Sequence, residues 1–307
     1  MSLLGSRALF IGLSLCPGFI LSQNENPVTP SLSRDVVNTC IYTVVDGDSL
    51  ALDLRIPNRG VSAQIGVVFL HGGGFSSGQR NSGPHVRLLQ TLAEAGIASA
   101  SITYRLTMKG RNFGCNIPAE EKQLAVQHAS DDAHRAFRWL KQSPLPLPEH
   151  WVIMGSSAGA EAAMWAGYGQ EDPYFLAVVS FSGAISASHP VPESAIPFFG
   201  VHGICDDVVP AGLGLHRDCP PDEVGSWMLC GGECWSTKLA ASGSPFQFRG
   251  ICDGTHSVCN TGMTDPEIQK ELIAWLKSGF QLESTRQFRP ETSSRFQEME
   301  SCPSPCH

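Results

Sequence analysis

The chain has 307 residues, 42% hydrophobic and 16% charged, with a formal net charge of −8. That length suits one large α/β core or two small domains. The acidic balance, with no Lys/Arg cluster, argues against a nucleic-acid partner, whose phosphates want basic stripes; the surplus of carboxylates serves solubility.

In chain order, residues 1–22 read first as an export signal. Arg7 precedes "ALFIGLSLCPGFIL", and the chain then turns polar at "SQNENP". The apolar run is too short to span a bilayer and is broken by Pro17, which favours a signal cleaved near Ser22 over an anchor. Ile20 departs from the small-residue preference of such sites. Cys16 is disfavoured as a lipid-attachment site by Leu15 before it. The expectation is a secreted or periplasmic protein with no membrane contact after cleavage.

"CIYTVV" and "LALDLRIP" follow as two β-rich runs joined by "DGDS", whose Asp-Gly is a hairpin turn. "IGVVFL" and "IASASITY" are unalternated apolar runs of strand length, as a parallel sheet buried on both faces requires. A helix is predicted over 118–142, with Leu124, Val126, Ala129, Ala133, Phe137 and Leu140 on its apolar face. Pro118 stands at its start and Pro144 lies past its end. Next come "WVIM" (strand), "AGAEAAMWAGY" (helix), and the strands "FLAVVSFSG", "IPFFGVHG" and "FQFRGICDG". The helix "TDPEIQKELIAWLKSGF" closes the series, with Thr264 or Asp265 as its cap and Pro266 in its first turn. Residues 283–307 are polar and Pro/Ser-rich and are expected to form a weakly ordered tail, closed locally by Cys302 and Cys306.

Alternating strands and helices predict a doubly wound, mostly parallel α/β sheet over residues 23–282. Sites in such sheets lie beyond the carboxyl ends of the strands, so chemistry-bearing residues should directly follow the strand-like runs. Two G-x-S-x-G patterns compete, one centred on Ser76 and one on Ser157. Ser157 follows "WVIM" and opens an alanine-rich helix, the context of a nucleophile on a sharp strand-to-helix turn, where glycines two residues away on each side relieve collisions. Ser76 is followed by "GQRNSGPH", which has no helical period, and reads as a loop residue. The glycines of "HGGGF" let backbone N–H groups turn toward one spot, so Gly73, Gly74 and Ala158 are the expected donors of an oxyanion hole. Asp206 and Asp207 compete as the acid after "IPFF". His256, in the loop after the last strand, is the expected base. Among the other histidines, His71 and His202 read as loop supports, His128 lies in a helix and His189 has no motif around it. The order Ser…Asp…His is that of the α/β-hydrolases.

At these residues the chain resembles the α/β-hydrolase superfamily, in particular secreted carboxylesterases related to the hormone-sensitive lipase group and exported acetyl and feruloyl esterases. The likeness rests on "HGGGF" at 71–75, "YRL" at 104–106, "GSSAGAEAA" at 155–163, "HGICDDVVP" at 202–210 and "GTH" at 254–256. It implies that the first Asp of H-G-x-x-D, Asp206, is the acid. It also implies no cofactor, and as substrate a small ester, free or carried on a polysaccharide. Only "AISASHPVPESA" stands where family members with large lids carry them, so no large lid is expected. The segment "RLTMKGRNFGCNIP" and the insert 211–235 are expected to shape the pocket. Trp227 and Trp235 either line it or pack the insert; Trp139, Trp151, Trp165 and Trp275 read as core. A serine peptidase of the same fold and a catalytically silent hydrolase-like binding protein are the alternatives.

Eleven cysteines remain to be placed. Loss of Cys16 with the signal leaves ten, and export with an even number argues for disulfides, whose pairing the spacing does not fix. A bond between Cys252 and Cys259, or from Cys205 to a neighbouring strand end, would brace the loops of the expected triad. "CGGEC" raises a zinc site, but no second Cys/His pair completes a familiar pattern.

Overall fold

The computed structural model describes residues 37–57, 64–169, 174–299, 301–303 and 306. The expected signal peptide lies outside the described residues.

The chain opens with a hairpin, β1 (Val37–Val45) and β2 (Asp48–Arg55), paired antiparallel. Its turn is Asp46-Gly47, with φ of 52° and 89°. Two successive left-handed residues match the twist of the flanking strands, which is why Asp-Gly stands there. Then follow β3 (Ile65–Leu70), α1 (Pro84–Glu94), β4 (Ala98–Ile102), α2 (Ala119–Gln142), β5 (His150–Ser156), α3 (Ala158–Tyr168) and β6 (Val178–Phe181). After these come β7 (Ala184–Ser186), β8 (Phe198–Gly203), β9 (Leu213–Leu215), β10 (Met228–Gly231), α4 (Gly232–Ser242) and β11 (Phe246–Ile251). The chain ends with α5 (Val258–Thr264), α6 (Pro266–Lys277), β12 (Thr285–Arg289) and β13 (Gln297–Glu298).

The main sheet runs β1-β2-β4-β3-β5-β6-β8-β11-β12-β13. Its centre, from β4 to β12, is parallel; only the β1–β2, β2–β4 and β12–β13 pairs are antiparallel. β7, β10 and β9 form a separate small sheet. The unalternated runs are explained by helices on both faces. In β3, Val68 and Leu70 join the core on the α2–α3 side, while Val67 and Phe69 join the core against α1 and α6. At roughly 25 cal/mol per Å² of apolar surface, burying both faces is the main stabilising term of the sheet. On α2 the buried stripe runs through Val126, Ala129, Ala133, Ala136 and Leu140, with Phe137 partly buried. Leu124 is a correction: it is 48% exposed, because it sits about half a turn away from that stripe. Asp265 caps α6, its carboxylate accepting from the amides of Glu267 and Ile268.

The tail expected to be weakly ordered over 283–307 instead adds a strand. β12 pairs parallel with β11, and Phe288 is fully buried against Phe248 at 5.8 Å between rings. Arg289 is buried between Asp265 and Glu267 of α6. Nor do Cys302 and Cys306 close a local ring: Cys302 bonds Cys252 and Cys306 bonds Cys205. The Cys252–Cys259 bond is therefore overturned as well, and Cys259 is a buried free thiol. The "CGGEC" pair, Cys230 and Cys234, is a disulfide. The connection from β6 to β8 holds the three-residue strand β7 as its one regular element, in keeping with a fold without a large lid.

Candidate active site

Four parallel strands, β3 and β5 on one side of β6 and β8 and β11 on the other, deliver the site from their carboxyl ends. β5 ends at Ser156, and Ser157 turns directly into α3 with φ 53° and ψ −127°. A serine rarely takes that conformation, and the surroundings hold it there. Its N–H donates to the carbonyl of Phe181 at 2.8 Å, and its own carbonyl accepts from Ala160 and Glu161. The flanking glycines are steric requirements. A Cβ on Gly155 would overlap the backbone of Gly159, and one on Gly159 would overlap the carbonyls of Leu70 and His71. The helix packs so closely on the ends of the strands that no side chain fits at either position.

The Ser157 Oγ lies 2.8 Å from His256 Nε2. His256 Nδ1 lies 2.8 Å from Asp206 Oδ2. Oδ1 of Asp206 accepts from the amides of Val208 and Val209, both at 2.9 Å. Burial alone would raise the Asp206 carboxyl, but hydrogen bonds from His202 and His256 outweigh it and hold the group well below the usual carboxylate range. Asp207, the competing acid, is exposed at the next position. Ser76 sits in the loop after β3, its hydroxyl donating to the carbonyl of Gly73 at 3.1 Å.

Gly73 and Gly74 have φ of 121° and 60°, and a Cβ on Gly73 would overlap the carbonyl of Ser77. Among the described residues, the N–H groups of Gly73, Gly74 and Ala158 donate to no protein acceptor. The loop is pressed against the nucleophile, since a Cβ on Gly72 would lie 3.2 Å from that of Ser157. Free amides beside the Ser157 hydroxyl, one of them at the N-terminus of α3, are the chemistry that suits negative charge. Under the loop, the Tyr104 hydroxyl donates to the carbonyl of His71 at 2.7 Å, and its ring stacks on the His71 imidazole at 4.5 Å.

The BD-FAE family model matches residues 52–200, a span that holds the glycine loop and Ser157 and ends within β8. No curated protein matches the sequence. Among solved structures, the native form of a thermophilic esterase from the Planctomycetes species Thermogutta terrifontis superposes with a TM-score of 0.58. It is 18% identical in sequence and covers 80% of this chain and 94% of its own. Its propionate-bound form gives 0.57, with 18% identity over 80% and 96%. The form phosphorylated by paraoxon gives 0.56, with 19% identity over 80% and 95%.

The chain has the fold of the α/β-hydrolases.

The two segments expected to shape the pocket are tied to each other. Cys115 of the first is bonded to Cys219 of the second. The carbonyl of Cys115 accepts from the amide of Gly225, and that of Val224 from Ala119. Phe113 bridges them, its ring 5.2 Å from both Phe75 and His216. Beneath, fully buried Lys122 donates to the carbonyl of Gly225 at 2.7 Å and to His216 Nδ1 at 3.2 Å. Burial pushes His216 down to about 3, so its ring is neutral and accepts that bond. Trp227 and Trp235 are buried, Trp235 fully, packing the insert rather than facing solvent. Trp151 and Trp275 are core; Trp139 and Trp165 pack partly buried against it.

Three features of the site escaped sequence reasoning. Gly72 makes the closest approach of the glycine loop to Ser157, although its place in "HGGGF" gave no reason to separate it from its neighbours. His202 contacts Asp206, and the i,i+4 spacing of H-G-x-x-D was the available clue. Glu161 is 2% exposed one turn beyond Ser157 on α3, with Oε1 unpartnered among the described residues. Burial raises its carboxyl to about 8, opposed by Arg217 and Lys122. The i,i+4 relation to Ser157 was visible, but only the packing showed that the residue is buried.

Proposed function

We propose that the protein is an exported serine esterase that cleaves short-chain carboxylic esters through an acyl-enzyme, acetyl and feruloyl esters of polysaccharides being candidate substrates. The unbroken relay from Ser157 Oγ through His256 to Asp206 carries this reading. In it, Ser157 attacks the ester carbonyl while His256 Nε2 takes its proton. The oxyanion forms against the N–H groups of Gly73, Gly74 and Ala158. Asp206 holds the Nδ1–H tautomer and stabilises the imidazolium, which then protonates the leaving alcohol. Water attacks the acyl-Ser157 by the same relay, returning the carboxylic acid and the free hydroxyl. The short-chain preference is supported by the Thermogutta terrifontis esterase, which has been solved with propionate and butyrate bound. Export rests on residues 1–22; recovery outside the cell with a new N-terminus near residue 23 supports it, and retention of Met1 on a cytosolic protein overturns it.

Ser157→Ala should abolish both hydrolysis of a short chromogenic ester and labelling by a fluorophosphonate, whereas Ser76→Ala should retain most of both. The reverse pattern would move the nucleophile to Ser76. Turnover of a matched peptide anilide in preference to the ester would make the protein a peptidase.

A further inference from the structure

We propose that His202 is a fourth, positioning member of the relay: as an uncharged imidazole, it fixes the carboxylate of Asp206 that orients His256. This rests on the esterase reading above. His202 sits in β8, four residues before Asp206, and is 1% exposed. Its hydrogen bonds determine its proton. Nε2 lies 2.9 Å from the carbonyl of Val209, which can only accept, so Nε2 carries the hydrogen. Nδ1 lies 3.4 Å from the amide N of Gly232, which can only donate, so Nδ1 presents its lone pair. A second ring proton would face the Gly232 N–H. The ring is therefore neutral and in one tautomer.

That Nε2, whose hydrogen goes to Val209, also lies 3.3 Å from Asp206 Oδ2, the oxygen that receives His256 Nδ1, which makes the carboxylate its second and longer acceptor. The two amides on Oδ1 and the two imidazoles on Oδ2 leave the carboxylate no free rotation. His202 thus supplies a donor without a charge. It also ties the acid loop, through Val209, and the start of α4, through Gly232, to the same ring. The ionisable groups whose charges reach His202 or Asp206 are His256, Glu233 of α4, Glu161 of α3, His216 and Cys259 of α5.

The tautomer is testable on the unmodified protein. Nitrogen-15 NMR of the histidines should find His202 uncharged and protonated on Nε2 at neutral pH; an Nδ1–H tautomer or an imidazolium would overturn the proposal. His202→Phe removes the donor and His202→Gln returns one near the position of Nε2. We expect His202→Phe to lower kcat about tenfold with KM little changed, the loss of one hydrogen bond's worth of alignment. The acid limb of its kcat/KM profile should move to higher pH, because a carboxylate with one donor fewer places more charge on His256. His202→Gln should restore most of kcat and the position of that limb. A folded His202→Phe protein with unchanged kcat and acid limb overturns the proposal. A wild-type protein that neither turns over esters nor reacts with a fluorophosphonate would overturn the esterase reading instead.

Discussion

At the scale of the residue, strain and burial are concentrated around Ser157. The nucleophile's own backbone is held at positive φ, and the residue one turn on, Glu161, is an acid in an almost dry place. Such a carboxyl has a measurable cost. In the fold it keeps its proton up to about pH 8, whereas its ordinary value is 4.5. Between those two values the native state binds the extra proton, so stability falls as pH rises through the window and stays lowered above it. The slope from this one group is at most about 1.4 kcal/mol per pH unit. Glu161→Gln removes the ionisation, so its gain in Tm over the wild type should grow between pH 5 and pH 8.5. A difference that stays constant across that range would show that Glu161 ionises as freely in the fold as in the unfolded chain. The contrast with Asp206 is instructive. Both carboxyls are buried, but three hydrogen bonds and the nearby Nε2–H of His202 surround one, whereas Oε1 of the other has no partner among the described residues.

At the scale of the element, the C-terminal segment has the largest effect on the site. Cys205 immediately precedes Asp206, and Cys252 follows β11 at the start of the loop that carries His256. Both are bonded to one short stretch, at Cys306 and Cys302. The segment therefore staples the acid loop and the base loop to a common anchor, which β12 in turn fastens to the sheet. The double variant Cys302→Ser/Cys306→Ser should lose about 2–5 kcal/mol of stability. Its ester turnover should fall as well, because the two loops then move independently; unchanged Tm and kcat would refute the staple. The sequence concealed this element for a physical reason. "TRQFR" has one apolar residue, and its Arg289 is tolerated in the sheet because the carboxylates of Asp265 and Glu267, at the start of α6 and some twenty residues earlier, meet it. α1 was overlooked as well. Its buried face, Leu88, Leu89 and Leu92, has a helical period, but it follows a run of Gly, Ser and Pro that reads as loop. α4, of 11 residues, was not predicted either: it begins with Gly and Glu between two cysteines, at the end of the insert read over 211–235.

At the scale of the whole molecule, the sequence by itself determined the parallel sheet, because strands buried on both faces are built mainly of apolar residues without alternation, a polar one there needing a partner of its own. It also determined the place of Ser157, since glycines at 155 and 159 between a strand and an alanine-rich helix have a steric reason to exist, and the order of acid and base after the next strand ends. The tertiary structure decided everything that depends on partners distant in the chain. It chose Asp206, by bringing His202, His256 and two amides to one carboxylate. It paired the cysteines, among the described residues across as many as 104 positions, which no spacing rule can do because the pairing depends on which distant segments meet. It made a strand of a polar tail by neutralising its charges from another helix. Local sequence encodes what a residue does to its own backbone and to the turns beside it; ion pairs, disulfides and buried acids belong to whichever surfaces meet, and that is settled only when the sheet is complete.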